Sequence, residues 1–162
     1  MKDMDTNLQE ILTFVVEGQR FAIQLHAVER ILRALEVTKL TDSPEYVEGL
    51  IDYYGEVIAV INLRKRLGYP LKELRTSDRF IIAKTMNRKL ALIVDEVEDV
   101  LLPNSQDLFD SKDIDGGLKF LNILRDDNGI ILLYDIENLL KKSEQIELEH
   151  ILEANSSTSD VL

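Results

Sequence analysis

Internal duplication is the feature that most restricts how this chain of 162 residues can fold. Residues 22–32 align with residues 91–101 at a constant separation of 69 positions, and most apolar positions coincide. Two further blocks match in the same order: residues 14–16 with 80–82, at a separation of 66, and residues 57–63 with 130–136, at a separation of 73. Because the order of the blocks is preserved, the sequence predicts two structural units of similar build.

The repeated blocks are short, rich in β-branched and aromatic residues, and separated by glycine or charged turns, a pattern typical of β-strands. Residues 12–16 and 21–25 predict one hairpin, residues 49–53 and 56–61 predict another, and a further strand starts at Val28. Hairpins this short leave exposed edges unless the sheet curls and closes. We therefore expect two small barrels packed on a shared core, with a single sandwich of about eight to ten strands as the alternative.

Two short helices are expected after the strands. Asn62 is predicted to cap a helix over 63–67, and Asp135 a second helix, because their side chains can accept hydrogen bonds from free amides at a helix N-terminus. Apolar residues at helical spacing continue past Asp135 and resume at Leu148, after a polar break at 143–145.

The predicted organisation is one domain over residues 8–142. It consists of duplicated halves, roughly 8–74 and 75–142. An acidic C-terminal helix and a flexible tail follow over 143–162, and the polar residues 155–160 predict that the tail is disordered.

Composition excludes several classes of function. The chain has 19 Lys and Arg against 30 Asp and Glu, a formal net charge of −11, which disfavours nucleic acids and anionic membranes as partners. It has no cysteine, so thiolate catalysis, disulfides and zinc–thiolate sites are excluded. No apolar stretch approaches the roughly 20 residues that cross a bilayer, and the polar start does not resemble a signal peptide. We expect a cytoplasmic protein that does not insert into a membrane.

No residue pattern points to catalysis, a metal or a cofactor. His26 and His150 have no partner at metal-ligand spacing and are interpreted as surface residues. The acidic run 95–99 is interpreted as a solvated strand edge that discourages strand addition. The basic run 64–66 is interpreted as the solvated face of a helix, with contact to an acidic partner helix as the alternative. The sequence thus predicts a β-sheet scaffold that presents surfaces to other proteins.

Residues 44–68 carry a family resemblance. They resemble the CheW family of chemotaxis coupling proteins. This family typically has the same residues that the chain has at Pro44, Tyr46, Val47, Gly49 and Gly68. The resemblance runs from about residue 8 to 142 and includes residues 92–97 and 132–140. It implies two intertwined five-stranded, SH3-like barrels around a shared core. It also implies a non-catalytic adaptor that joins the regulatory domain of a CheA-type histidine kinase to the cytoplasmic helical hairpin of chemoreceptors, peripheral to receptor arrays.

The resemblance implies that Val28, Arg30, Gly49, Tyr54 and Gly55 lie near the groove that faces the receptor. Two of these depart from the family pattern, which has an acid at the position of Arg30 and an arginine at the position of Tyr54. We hypothesise that an arginine–tyrosine stack replaces the family's ion pair, which requires the two side chains to lie within about 6 Å.

Two functional alternatives follow from these departures. The first is a diverged CheW-like module that serves a pathway other than chemotaxis. The second is a barrel that binds a small ligand, which requires an enclosed apolar cavity with a few converging polar groups.

Overall fold

The computed structural model describes residues 9–109 and 120–159, so the polar start of the chain lies outside the described residues. Three one-turn 3-10 helices, Leu25–Ala27, Ser105–Asp107 and Ile136–Asn138, connect the longer elements. The strands and α-helices of the described residues are, in chain order, β1 (Ile11–Val16), β2 (Gln19–Gln24), β3 (Val28–Arg33), β4 (Val47–Tyr53), β5 (Glu56–Ile61), α1 (Leu63–Leu67), β6 (Arg79–Lys84), β7 (Lys89–Val94), β8 (Glu96–Leu101), β9 (Leu108–Phe109), β10 (Phe120–Asp126), β11 (Gly129–Tyr134) and α2 (Lys142–Ser159).

The strands form two sheets, which confirms the prediction of a mainly β protein with two subdomains. One sheet has six strands in the order β8-β1-β2-β11-β10-β9, and the other has five in the order β3-β6-β7-β5-β4. Both sheets curl. After the edge strand β3, the chain crosses to the opposite edge of the same sheet, which is β4. There Thr38 exchanges two backbone hydrogen bonds, of 2.8 and 2.9 Å, with Leu50 of β4. In the other sheet the chain that leaves β8 likewise pairs as β9 with β10.

The duplicated halves exchange their first hairpins. β1 and β2, from residues 8–74, lie in the sheet that contains β8 to β11, while β6 and β7, from residues 75–142, lie in the sheet that contains β3 to β5. Four pairings join the two halves: the parallel pairs β2–β11 and β5–β7, and the antiparallel pairs β1–β8 and β3–β6. The boundary near residue 74 therefore divides the repeat in the sequence, whereas each sheet is built from both halves.

Successive side chains of a strand point to opposite faces of the sheet, and the apolar side chains therefore form three separate cores. On β6, Phe80 and Ile82 pack within the five-stranded sheet, whereas Ile81 faces a larger core shared by both sheets. The six-stranded sheet has its own cluster, which includes Leu124 and Ile131. The expected shared core between two curled sheets is confirmed.

The helix α2 corrects the prediction for the C-terminal segment. It is one helix from Lys142 to Ser159, without the break expected at 143–145, and it is helical at 155–159, where the tail was expected to begin. Leu148 is fully buried in the shared core, so the helix packs on the body of the protein. Neither helix in the described part of the chain is long and apolar enough to span a membrane.

Candidate partner-binding surface

Arg30 on β3 and Tyr54 in the β4–β5 turn form the pair that the sequence predicted. The guanidinium Nη1 of Arg30 donates a hydrogen bond of 2.9 Å to the Tyr54 hydroxyl, and the Arg30 Cζ lies 5.3 Å from the centre of the Tyr54 ring. The hypothesis of a contact within about 6 Å is confirmed. Tyr54 is 79% exposed, so most of its ring remains available to a partner.

The backbone of the turn holds Tyr54 in this outward position. Tyr54 and Gly55 both have positive φ angles, 51° and 85°, the conformation of a two-residue hairpin turn whose twist matches the flanking strands. The carboxylate of Asp52 accepts a 2.8 Å hydrogen bond from the Gly55 amide and closes the turn. Gly55 thus has a backbone role, since glycine adopts positive φ without steric cost.

Gly49 and Val28 lie elsewhere in the subdomain. A Cβ at Gly49 would lie 2.3 Å from the carbonyl oxygen of Thr38, so only glycine permits the close approach of the segment that reaches β4. Val28 is half-buried against the shared core and pairs with Ala83. Gly49 is separated from Tyr54 by five strand steps, about 17 Å. The structure therefore brings Arg30, Tyr54 and Gly55 together but places Gly49 at the other end of β4.

Lys89 supports the Arg30–Tyr54 pair, and the sequence analysis did not identify it. Its ammonium lies 3.2 Å from a carboxylate oxygen of Glu29, 3.4 Å from one of Glu56, and 5.9 Å from the centre of the Tyr53 ring. It thereby joins β3 to the β4–β5 hairpin. The hydrogen bond with Glu29 raises the pKa of Lys89, and the same bond lowers the pKa of Glu29. The repeat could have revealed this residue, since Lys89 follows Arg20 by the same 69 positions.

An open groove of about 700 Å³ lies at the other end of β4. Residues 36–39 form one wall and residues 71–74 the other. The apolar lining comes from Val37, Leu71, Leu74 and Ile93. Leu71 is 61% exposed, which leaves an apolar side chain on the groove wall facing water.

The polar base of this groove is rigid because its charges are paired. The guanidinium of Arg64 donates to Glu17, to Asp95 at 2.7 Å and to the carbonyl of Pro70 at 3.0 Å. Burial alone would lower the pKa of Arg64, but the bonds to both carboxylates outweigh it and the pKa is raised. Burial would likewise raise the pKa of Asp95, but the hydrogen bonds from the Glu17 amide and Arg64 lower it.

These contacts correct the interpretation of residues 64–66 as a solvated helix face. Arg64 is buried, and the Arg66 side chain is only 12% exposed and pairs with Glu144 of α2 at 2.8 Å. The predicted cap is confirmed, since the Asn62 side chain accepts from the amides of Arg64 and Lys65. The basic run therefore fixes the protein's own strands and its own acidic helix.

The remaining polar residues that the structure describes give no sign of a metal site. His26 and His150 are exposed, as predicted. β8 is an edge strand, as interpreted from the acidic run, although Asp95 and Glu98 in that run form ion pairs. Within residues 9–109 and 120–159, no group of three histidine or carboxylate side chains is placed to hold a metal ion.

Comparison with known proteins identifies the family. The model of the CheW-like domain matches residues 10–144. The chain is 29% identical over 135 residues to the chemotaxis protein CheW of Thermotoga maritima, which covers 82% of this chain and 88% of that protein. It is 28% identical over 139 residues to CheW of Bacillus subtilis, with coverage of 83% and 88%.

A solved structure shows the same fold. The scaffolding protein TtCheW from Thermoanaerobacter tengcongensis superimposes with a TM-score of 0.76 and 23% identity, over 85% of this chain and 95% of that one. The two curled sheets, the exchanged hairpins and the match over most of the sequence lead to one conclusion. The chain belongs to the CheW-like family of non-catalytic chemotaxis adaptors.

Proposed function

We propose that this protein couples the regulatory domain of a CheA-type histidine kinase to the cytoplasmic helical hairpin of chemoreceptors, at receptor arrays on the cytoplasmic side of the membrane. The observation that carries the proposal is the separation of two unlike surfaces on one sheet. The Arg30–Tyr54 surface lies at the tip of the β4–β5 hairpin, and the groove lies at the opposite end of the same strands. An adaptor requires two such surfaces on a rigid body, because it must hold both partners at once.

The groove suits the receptor hairpin. Apolar walls over a polar base bind amphipathic helices, whose apolar side chains act as anchors. Val37, Leu71 and Leu74 provide the walls, and the paired Arg64 provides a base that does not need to rearrange. Shallow grooves of this kind depend on a few anchors for most of their affinity.

The family resemblance implies a position near the receptor for Arg30 and Tyr54, but the surface that they form here suits the kinase domain better. Tyrosine and arginine are the residues most enriched at the energetic centres of protein interfaces. The hydrogen bond between them fixes both side chains before binding, which reduces the entropy lost on association. Val57 on β5, two residues beyond the turn, is 44% exposed and adds apolar area.

Binding of purified partners tests the proposal. We expect Tyr54→Ala to weaken binding of the kinase regulatory domain by about tenfold or more and to leave receptor-hairpin binding unchanged. Leu71→Glu should have the opposite selectivity. Asp127→Ala, in the matching turn of the six-stranded sheet, is the control and should affect neither. Failure of the unmodified protein to bind either partner in calorimetric titrations would contradict the proposed coupling role.

The small-ligand alternative is not favoured. In the described residues, the buried side chains that form the cores of the two individual sheets are no more than 7% exposed, so apolar side chains fill the space that a ligand would need. A diverged adaptor for another pathway would retain both surfaces and differ only in which partners bind them.

A further inference from the structure

Two arginines face each other across neighbouring strands without an acidic partner. Arg33, the last residue of β3, and Arg79, the first residue of β6, are direct cross-strand partners. Like charges directly opposite on antiparallel strands destabilise a sheet. A chain with 30 acidic residues could readily supply a carboxylate here, and within the described residues it does not. Arg79 Nη1 donates to the backbone carbonyls of Ser77 and Asp78 at 2.9 and 3.1 Å, which gives Arg79 a local role in the turn and leaves the repulsion from Arg33 in place.

A third arginine belongs to the same end of β6. Arg75 and Asp78 form the turn that precedes the strand: the Asp78 amide donates to the Arg75 carbonyl at 3.0 Å, and the Arg75 amide donates to the Asp78 carboxylate at 2.8 Å. Asp78 is 3% exposed: its carboxylate accepts from the Arg75 amide, and its backbone carbonyl accepts from Arg79 Nη1 at 3.1 Å and from the Ala34 amide at 3.2 Å. We call Arg33, Arg75 and Arg79 the arginine patch. Within the described part of the chain, no carboxylate oxygen lies within 4.0 Å of their guanidinium nitrogens.

Apolar side chains flank the patch. Ile31 and Leu35 lie two positions before and after Arg33 and are 41% and 39% exposed. Between them, Leu32 and Ala34 pack against the core of the five-stranded sheet. The alternation places Ile31, Arg33 and Leu35 on the outward face of this segment, in the order apolar, basic, apolar.

The duplicated fold does not require these arginines. The strand registers match at a separation of 69, since the pair Leu12–Val100 corresponds to the pair Ile81–Ile31, and they give Leu102 for Arg33 and Glu10 for Arg79. The same strand pair thus forms in the other sheet without two like charges at this position, so the arginine pair is specific to one surface.

We propose that the arginine patch docks an acidic amphipathic segment of another protein. The carboxylates of that segment contact the guanidinium groups, and its apolar side chains cover Ile31 and Leu35. Arginine is suited to this role because its planar fork binds carboxylates through two parallel hydrogen bonds. An extended polyanion such as a nucleic acid or an anionic lipid surface is disfavoured, since the whole protein carries a net charge of −11 and would repel it beyond the patch.

Titration of a fluorescent peptide by the full chain tests this assignment. The probe is a short synthetic peptide in which Glu and Leu alternate, and anisotropy reports binding. We expect saturable binding that weakens with added salt, as exposed charge contacts do. The double variant Arg33→Glu/Arg79→Glu should weaken binding by about tenfold or more. The control Lys84→Glu makes the same charge change as the single variant Arg33→Glu, at the other end of β6, and should change binding by less than about twofold.

Three results would overturn the proposal. They are no saturable binding to the unmodified chain, equal binding to the double variant, and equal binding of a peptide with Gln in place of Glu. Since the single change Arg33→Glu places an acid opposite Arg79 and removes a repulsion, it keeps the test valid if the double variant fails to fold. None of these measurements uses a kinase or a receptor, so their outcome is independent of the proposed coupling role.

Discussion

The two sheets contain matching ion clusters, which shows what the duplication has kept. In the five-stranded sheet, Lys89 contacts Glu29 at 3.2 Å. In the six-stranded sheet, Arg20 contacts Glu98 at 3.0 Å. The two cations are 69 positions apart, and so are the two acids. Lys89 lies at the start of β7 and its ion pair joins that strand to β3. Arg20 lies near the start of β2 and its ion pair joins that strand to β8. Because both sheets have this link, it belongs to the fold itself.

The surface beside each cluster is where the halves differ. Arg30 and Tyr54 lie next to Lys89, whereas the matching positions in the other half are Asp99 and Asp127, at separations of 69 and 73. A cationic and aromatic pair in one sheet thus corresponds to two acids in the other. The difference shows that the supporting cluster is constrained by folding and that the neighbouring surface is free to specialise.

The largest expected effect comes from the closing contact of the five-stranded sheet. Gly49→Ala would place a Cβ against the backbone of Thr38, which must then move, and we expect a loss of about 1–3 kcal/mol in the free energy of unfolding. The matching position after the bulge in β10 is Asn122. Asn122→Ala should change stability by no more than about 0.5 kcal/mol. Urea denaturation of both variants measures the contrast, and equal losses would show that both sheets close in the same way.

The second contrast concerns the two cations. Arg20 is 14% exposed in its side chain and holds both carboxylate oxygens of Asp126, at 2.7 and 3.0 Å. Arg20→Ala removes hydrogen bonds to two charged groups, and we expect a loss of about 2 kcal/mol. Lys89→Ala should destabilise less, since its contacts are single and more exposed. A thermal melt in which Lys89→Ala unfolds at the lower temperature would reverse this ranking.

Acid should loosen the Arg20 cluster selectively. The hydrogen bond from Arg20 lowers the pKa of Asp126, so its stabilisation is fully present above the unfolded-state pKa of about 4. It is lost as the pH falls through the lowered pKa of the folded state. We expect the stability difference between the unmodified chain and Asp126→Asn to be constant near neutral pH and to shrink below about pH 4. Asp127→Asn, at the neighbouring exposed acid, is the control, and a difference that stays constant in acid would argue against this role.

Much of the fold was predictable from local pattern, and most of the site was not. The β4–β5 turn at Tyr54–Gly55 and the cap at Asn62 are set by nearby residues, and both were predicted correctly. The burial of Arg64 was missed because its acidic partners lie 47 and 31 positions away, on other elements. The start of α2 was also missed because its partners are distant in the sequence. Its polar start looks like a break in sequence, but Glu144 is fixed there by Arg66 and by the Tyr46 hydroxyl, which donates to its backbone.

The smallest expected effect separates stability from binding at the arginine patch. Arg33→Glu replaces a repulsive cross-strand pair by an attractive one, and we expect a gain of about 0.2–1 kcal/mol in the free energy of unfolding. Leu102→Glu changes the matching position of the six-stranded sheet, one residue beyond the Ile11–Leu101 pair and therefore across from the acidic Glu10, and should bring no such gain. Urea titrations of both variants provide the comparison. A gain in stability together with weaker peptide binding would show that the arginine is kept at the expense of the fold, whereas a loss of stability in Arg33→Glu would mean that the pair supports the sheet after all.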